Sequence, residues 1–135
     1  MSVVAIRAAL DARLNTINPS LATAWENAAF VKPAATVPYQ VVHLLFATPD
    51  NPETGTGYRE LGYMQVTLCY VLQAGPGAAA ARAKVVRDTF PKNLSLASGT
   101  TIVTISKTPS IGNGMVDGDR FTLPVKIPFY ANFFG

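Results

Sequence analysis

The pattern that most constrains the fold lies in residues 120–129, RFTLPVKIPF. Apolar side chains take every second position from Phe121 to Phe129, and polar ones such as Arg120 and Lys126 lie between them. A period of two is the side-chain period of a β-strand with one buried face. The sequence therefore predicts a half-buried strand here, with the apolar set facing the core.

Further aromatic residues follow this strand, where a chain end would normally fray. We take the strand to be a sheet edge, because a neighbour can satisfy the unpaired backbone groups of an edge. We therefore expect a second copy of the protein to cover it, and the alternative is that the tail folds back over its own core. The candidate subunit-interface residues are Phe129, Tyr130, Asn132, Phe133 and Phe134.

Length and composition are consistent with an assembling subunit. A chain of 135 residues is expected to form a single domain over residues 1–135. Charged residues make up 14% of the chain, against about 25% in a typical domain. A surface poor in charge suits a protein that assembles with neighbours, and an unusually large core is the alternative.

The sequence argues against nucleic acid and against a membrane as partners. Eleven basic and eight acidic residues give a net charge of +3, but the basic residues are scattered rather than clustered. Nucleic-acid binding needs a clustered basic footprint, so sequence-specific nucleic-acid binding is not expected. The apolar stretch near Met1 is too short for a signal peptide or a membrane span, so we expect assembly in a reducing cytoplasm without membrane contact.

The remaining patterns predict two helices and four or five strands. Helical spacing of apolar residues begins at Val3 and stops before Pro19, and a second helix runs from Ala78 to Phe90. The predicted strands cover residues 39–47, 62–73, 100–108 and 120–130. With no repeated βαβ pattern, the expected fold class is α+β: a mostly antiparallel sheet of four to five strands with two helices packed on one face.

Residues 48–60, TPDNPETGTGYRE, have two prolines, two glycines and no apolar period. This predicts a loop longer than most loops in a compact domain, and such loops are functional or disordered. Our hypothesis is that it faces a partner or a neighbouring subunit and orders on docking. The candidate contact residues are Asp50, Glu53, Tyr58, Arg59 and Glu60.

No set of residues in the sequence has the pattern of a catalytic or metal site. His43 is the only histidine and Cys69 the only cysteine, so neither a zinc site nor a disulfide framework is expected. The glycine-rich run at residues 112–118 lies between two predicted strands, whereas a dinucleotide fingerprint opens a helix. We therefore predict no enzyme activity, no metal and no cofactor.

An ordered set of motifs along almost the whole chain resembles a known family. An amphipathic helix is followed by a Trp-x-Asn-x-x-Phe segment and a proline-bracketed bend that opens a strand. A long polar loop, a Gly-Tyr-Met-Gln-Val strand, a Gly-rich helix start and a closing aromatic strand complete it. The quoted residues are Trp25, Asn27, Phe30, Pro33, Pro38, Tyr39 and Gly62 to Val66. The set is similar to the phage tail terminator proteins, the minor tail protein U type of long-tailed bacteriophages, and to related prophage proteins.

The resemblance implies a structural virion protein that forms a ring, hexameric in the family, on the head-proximal end of the tail tube. Such a ring ends tube polymerisation and provides the interface for head joining. The implied partners are further copies of the chain, the tail tube protein and the head–tail connector protein, with assembly in the host cytoplasm. The resemblance also implies that Trp25, Asn27 and Phe30 determine the fold.

Two alternatives remain open from the sequence. One is another neck or head–tail completion protein. The other is a small ligand-binding α+β domain, in which His43, Tyr63 and Cys69 would line a pocket on the sheet.

Overall fold

The computed structural model describes residues 3–51 and 57–133. Within them it has two helices and eight strands. These are α1 (Val3–Leu14), β1 (Ala22–Ala24), β2 (Tyr39–Phe46), β3 (Tyr58–Val71), α2 (Gly77–Thr89), β4 (Ser95–Ser98), β5 (Thr101–Ile105), β6 (Ser110–Ile111), β7 (Met115–Asp117) and β8 (Arg120–Phe133).

The strands form a curled mixed sheet in the order β1-β2-β3-β8-β5-β4, and β6 and β7 also pair with β8. The β1–β2 pair is parallel and the other pairs are antiparallel. The predicted α+β class is confirmed, but the described sheet has eight strands rather than four or five. The difference lies mainly in β1, β4, β6 and β7, which have two to four residues each and are too short to show a period of two.

The final strand lies inside the sheet, so the expectation that it forms an edge is wrong. Along one side β8 pairs with β3 over 14 residues, from Tyr58 opposite Phe133 to Val71 opposite Arg120. Along the other side it pairs in turn with β7, β6 and β5. The predicted edge is therefore covered by the chain's own short strands, and the β3–β8 ribbon forms the middle of the sheet.

The core lies between the helices and one face of the sheet. Met64 of β3 and Ile127 of β8 are opposite each other in the register, and both are buried in the core that also contains Leu10 of α1 and Val86 of α2. Ala83 of α2 is also fully buried there, because a small side chain lets the helix approach the sheet closely. Both helices thus bury their apolar faces in one core on the same side of the sheet.

The opposite face of the sheet carries polar and aromatic residues. We call it the open face; it includes His43, Gln65 and Lys126, which form one cross-strand row. Lys126 lies over the ring of Tyr63, with its ammonium 5.1 Å from the ring centroid. Cation–π contacts of this kind hold a long basic side chain flat on a sheet.

Several arginines are used inside the fold rather than on a charged surface. Arg13 donates to the carbonyl of Thr89 at 2.9 Å, and Arg87 donates to the carbonyl of Pro109 at 2.9 Å. Each bond joins a helix to a segment distant in sequence. This use of guanidinium groups explains how a chain of net positive charge has scattered rather than clustered basic residues.

Candidate functional site

The structure brings the two predicted contact sites together. The last three residues of the predicted loop, 58–60, are not loop, because β3 begins at Tyr58. Residues 58–60 pair directly with residues 131–133 at the end of β8. Two sets of residues that we inferred separately, one on the loop and one on the tail, therefore lie on the same end of the β3–β8 ribbon.

We call the surface formed there the loop end, defined by Asp50, Tyr58, Arg59, Tyr130 and Asn132. Arg59 organises it: its Nε donates to Oδ1 of Asn132 at 2.9 Å, and its guanidinium lies 4.6 Å from the centroid of the Tyr130 ring. The backbones of Asp50 and Arg59 also exchange two hydrogen bonds, of 2.9 and 2.6 Å. These contacts fix a polar surface with one cation and two aromatic rings.

Two of the predicted interface residues are buried within the subunit. Phe129 is 1% exposed and Phe133 is 4% exposed. Phe129 packs edge-on against Phe46, and Phe133 packs against Tyr58 with ring centroids 5.2 Å apart. The chain therefore folds over its own core as far as Phe133, which is the alternative to the expected intersubunit cover.

The other predicted residues have mixed positions. Tyr130 is half-buried and Asn132 is exposed, so both reach the surface, and Glu60 is half-buried at the start of β3. Glu53 and Phe134 lie outside the described residues. Next to the loop end, Leu45 and Phe46 are exposed at the end of β2, which extends the surface with apolar area.

A second apolar surface lies at the opposite end of the ribbon, where β7 and β8 form a hairpin. We call it the hairpin end, defined by the exposed residues Val31, Val37, Met115 and Val116. Val31 is 90% exposed and Val116 is 67% exposed. Large apolar side chains exposed together are typical of interaction sites. The sequence reasoning missed this surface, because its residues come from a loop and a short strand that are distant in sequence.

A buried arginine holds the segment 33–37 in place at the hairpin end. Arg120 donates to the carbonyls of Val37, Ala34 and Pro33, and its guanidinium lies 4.8 Å from the centroid of the Tyr39 ring. It is 1% exposed.

An ion pair between Lys32 and Asp119 joins the same two segments at the surface. The hairpin end is therefore a fixed surface built on two anchored segments.

A depression of about 460 Å³ opens beside the hairpin end. It lies between the turn that precedes α2 and the β7–β8 hairpin, and we call it the apolar pocket. Gly114 packs against one side of it: a Cβ there would come within 2.3 Å of the ring of Phe121. The lining residues are Val71, Leu72, Gln73, Gly75, Pro76, Val116 and Phe121.

The Trp-x-Asn-x-x-Phe segment lies along β2 and shows features of a fold determinant. Trp25 packs against the core, and Phe30 packs against Tyr39 with ring centroids 5.5 Å apart. Asn27 has a φ of 52°, a left-handed conformation in which asparagine is enriched.

Glu26, inside the same segment, has a role that the sequence did not reveal. Its carboxylate accepts a hydrogen bond from the backbone N–H of Leu44 at 2.5 Å and pairs with Arg7 at 3.1 Å. Burial alone would raise the pKa of Glu26, but these two donors hold it below its usual value. The carboxylate thus links α1 to the edge of β2 that faces away from β3. On that edge, no described strand pairs with Leu44.

The structure does not bring the three proposed ligand-binding residues together in one place. His43, Tyr63 and Cys69 lie on the open face in different cross-strand rows. They line neither the apolar pocket nor the depression between α1 and β4. Burial raises the pKa of the Cys69 thiol, which disfavours the reactive thiolate.

The described residues lack the features of two other classes of function. They contain no group of three or more His, Cys, Asp and Glu side chains that could hold a metal ion. Neither helix within residues 3–51 and 57–133 is long and apolar enough to cross a membrane.

A small α+β domain with apolar surfaces at two ends is typical of an assembly protein. Comparison with known proteins gives the family directly: the family model described as phage tail terminator protein matches residues 5–129. The chain belongs to this family. It is therefore a structural component of the phage tail that interacts with other tail or head proteins.

One solved structure is similar over the full length. It is 27% identical, with a TM-score of 0.78, and the alignment covers 100% of this chain and 99% of that chain. No curated protein matches the chain.

Proposed function

We propose that this protein closes the head-proximal end of the phage tail tube as a ring, ends tube polymerisation and provides the surface for head joining. The observation that carries the proposal is the pair of different surfaces at opposite ends of the β3–β8 ribbon. The ribbon has 14 residue pairs, which correspond to a length of roughly 43 Å at about 3.3 Å per residue.

A ring needs two different complementary patches on each subunit, because the same head-to-tail contact repeats around the axis until it closes. The loop end and the hairpin end are two different surfaces, which supports a contact of this kind. Both expose apolar side chains, and the loop end adds the Arg59–Asn132 pair as a polar contact. We infer that the loop end of one subunit meets the hairpin end of the next, with six subunits as in the family.

This arrangement leaves the two faces of the ring for other partners. One face contacts the tail tube protein and the other contacts the head–tail connector protein. The predicted loop around Asp50 and Glu53 is the proposed contact with the tube or with the next subunit, ordering as it docks.

The first experiment measures assembly. The purified protein is examined by light scattering and negative-stain microscopy across concentrations, alone and with purified tail tubes. We expect rings on tube ends. The variant Arg59→Glu reverses the charge at the loop end, and we expect it to weaken ring formation at least tenfold. The matched control Lys84→Glu reverses a charge on the exposed side of α2 and should leave rings unchanged.

The second experiment tests the assigned place in the virion. Deletion of the gene from the phage or prophage should give tails of uncontrolled length that do not join heads. A protein that remains monomeric at every concentration, even with tubes present, would refute the ring. Normal tail length with heads still unjoined would instead support another head–tail completion protein.

A further inference from the structure

We propose that the apolar pocket at the hairpin end receives the side chain of Phe134 from a neighbouring copy of the chain. This inference rests on the proposed ring only for its partner, which is a second copy of the chain. The pocket comes from the structure, and Phe134 comes from the sequence, as the residue that follows the last residue of β8.

The pocket suits an uncharged aromatic side chain. None of its lining residues is charged, and Gln73 is the only polar side chain among them. Its volume of about 460 Å³ lies within the usual range for sites that bury a small organic group. An aromatic side chain that enters such a site buries roughly 150–250 Å².

The pocket cannot be filled by Phe134 of the same chain. Phe121 lines the pocket near the start of β8, and Phe133 ends the same strand twelve residues later. An extended strand of that length spans about 40 Å. Phe134 follows directly, and one residue adds only about 3.5 Å. An aromatic side chain at this position can therefore reach the pocket only on another molecule.

The walls of the pocket are already in place to receive a partner. Val116 lies on the β7 strand, which is paired with the first residues of β8. Val71, another wall residue, ends β3 and is opposite Arg120 in the β3–β8 register. Since these walls need little reordering on binding, the cost of association is small, which favours a specific contact.

A cross-linking experiment tests the contact directly. Two variants are made in a Cys69→Ala background, one with Phe134→Cys and the other with Val116→Cys, and they are mixed under mild oxidation at concentrations that allow assembly. A disulfide forms only when the two Cα atoms come within about 7 Å. We expect a mixed disulfide between the two variants at least ten times faster than with the control Val85→Cys, an exposed position on α2.

A second measurement does not depend on cysteine chemistry. Phe134→Ala should raise the concentration for half-maximal self-association at least tenfold, since buried aromatics dominate the energetics of interfaces. Val116→Asp should do the same from the pocket side. Val85→Asp, at an exposed position on α2, is the control and should leave association unchanged.

The outcomes separate this inference from the proposed function. If Phe134→Ala self-associates and caps tubes like the parent protein, and the cross-link is no faster than the control, the pocket contact is overturned while the ring stands. If the parent protein neither associates nor caps tubes, both proposals fail. Faster cross-linking together with weakened association of Phe134→Ala and Val116→Asp supports the contact.

Discussion

Replacing Arg120 should loosen the hairpin end and lower the stability of the whole domain. Three hydrogen bonds join its guanidinium to the carbonyls of Pro33, Ala34 and Val37. Bonds to a charged donor contribute about 1.5–3 kcal/mol each to stability. Part of this is offset, because burial of a cation costs several kcal/mol, and the Arg120 Nε has no acceptor among the described residues.

The net change in stability depends on whether the carbonyl groups that lose their donor find another hydrogen-bond partner. In Arg120→Met the carbonyls of Ala34 and Val37 can turn to water, since both residues are exposed. We therefore expect the free energy of unfolding to fall by about 3 kcal/mol rather than by the sum of the three bonds. For a domain of 135 residues, this corresponds to a decrease in Tm of roughly 10 °C.

The assay is urea unfolding combined with amide hydrogen exchange of residues 30–38. Arg120→Met should accelerate exchange in this segment more than in α2, because the segment loses its anchor. The control Arg87→Met removes one carbonyl bond, to Pro109, and should cost about 1 kcal/mol. A loss below about 1 kcal/mol for Arg120→Met, with unchanged exchange, would refute the anchoring role.

Three further perturbations follow from the same structure. Gly62→Ala should lower the free energy of unfolding by at least about 2 kcal/mol in urea titration, because its Cβ would come within 2.1 Å of the Leu45 carbonyl oxygen; wild-type stability would contradict that close approach. Burial raises the pKa of Asp11 from 3.8 to about 6, so folding favours the protonated carboxyl and stability falls as pH rises from about 4 to about 6. At pH 8, Asp11→Asn should therefore have a free energy of unfolding in urea about 1 kcal/mol higher than that of the parent protein, after allowance for its partial exposure. At pH 4 it should show no such increase. Equal increases at both pH values would exclude titration of Asp11 as the cause. Glu26→Gln keeps an acceptor for the N–H of Leu44 but removes the charge. It should lower the free energy of unfolding by about 1 kcal/mol at pH 7 and by less at pH 3. A loss that does not depend on pH would count against a role for the charge.

The strength of the sequence reasoning lay in local periods. The alternation from Phe121 to Phe129 predicted a strand with one buried face, and both residues lie on the core side of β8. The family resemblance was confirmed by the match over residues 5–129. The side-chain period is a property of a short stretch of backbone, and the order of the motifs can be read along the sequence without knowledge of tertiary contacts.

The position of β8 within the sheet was decided only by tertiary structure. Three strands of five residues or fewer pair with its second side, and strands so short leave little period to detect. The predicted loop site and tail site also lie side by side only because of the tertiary structure. It depends on Tyr58 lying opposite Phe133, a register between residues far apart in sequence.

Arg120 shows the limit of what the alternating pattern can predict. The alternation correctly placed it on the face opposite Phe121, yet it is among the largest fully buried side chains of the domain. A period of two assigns a residue to a face of the sheet and carries no information about what covers that face. Here the cover is the segment 33–37, which comes from more than 80 residues away. The sequence by itself therefore determined the two helices, the four longer strands and the family. The burial of Arg120, the two end surfaces and the pocket arose from contacts between distant segments, which no local pattern encodes.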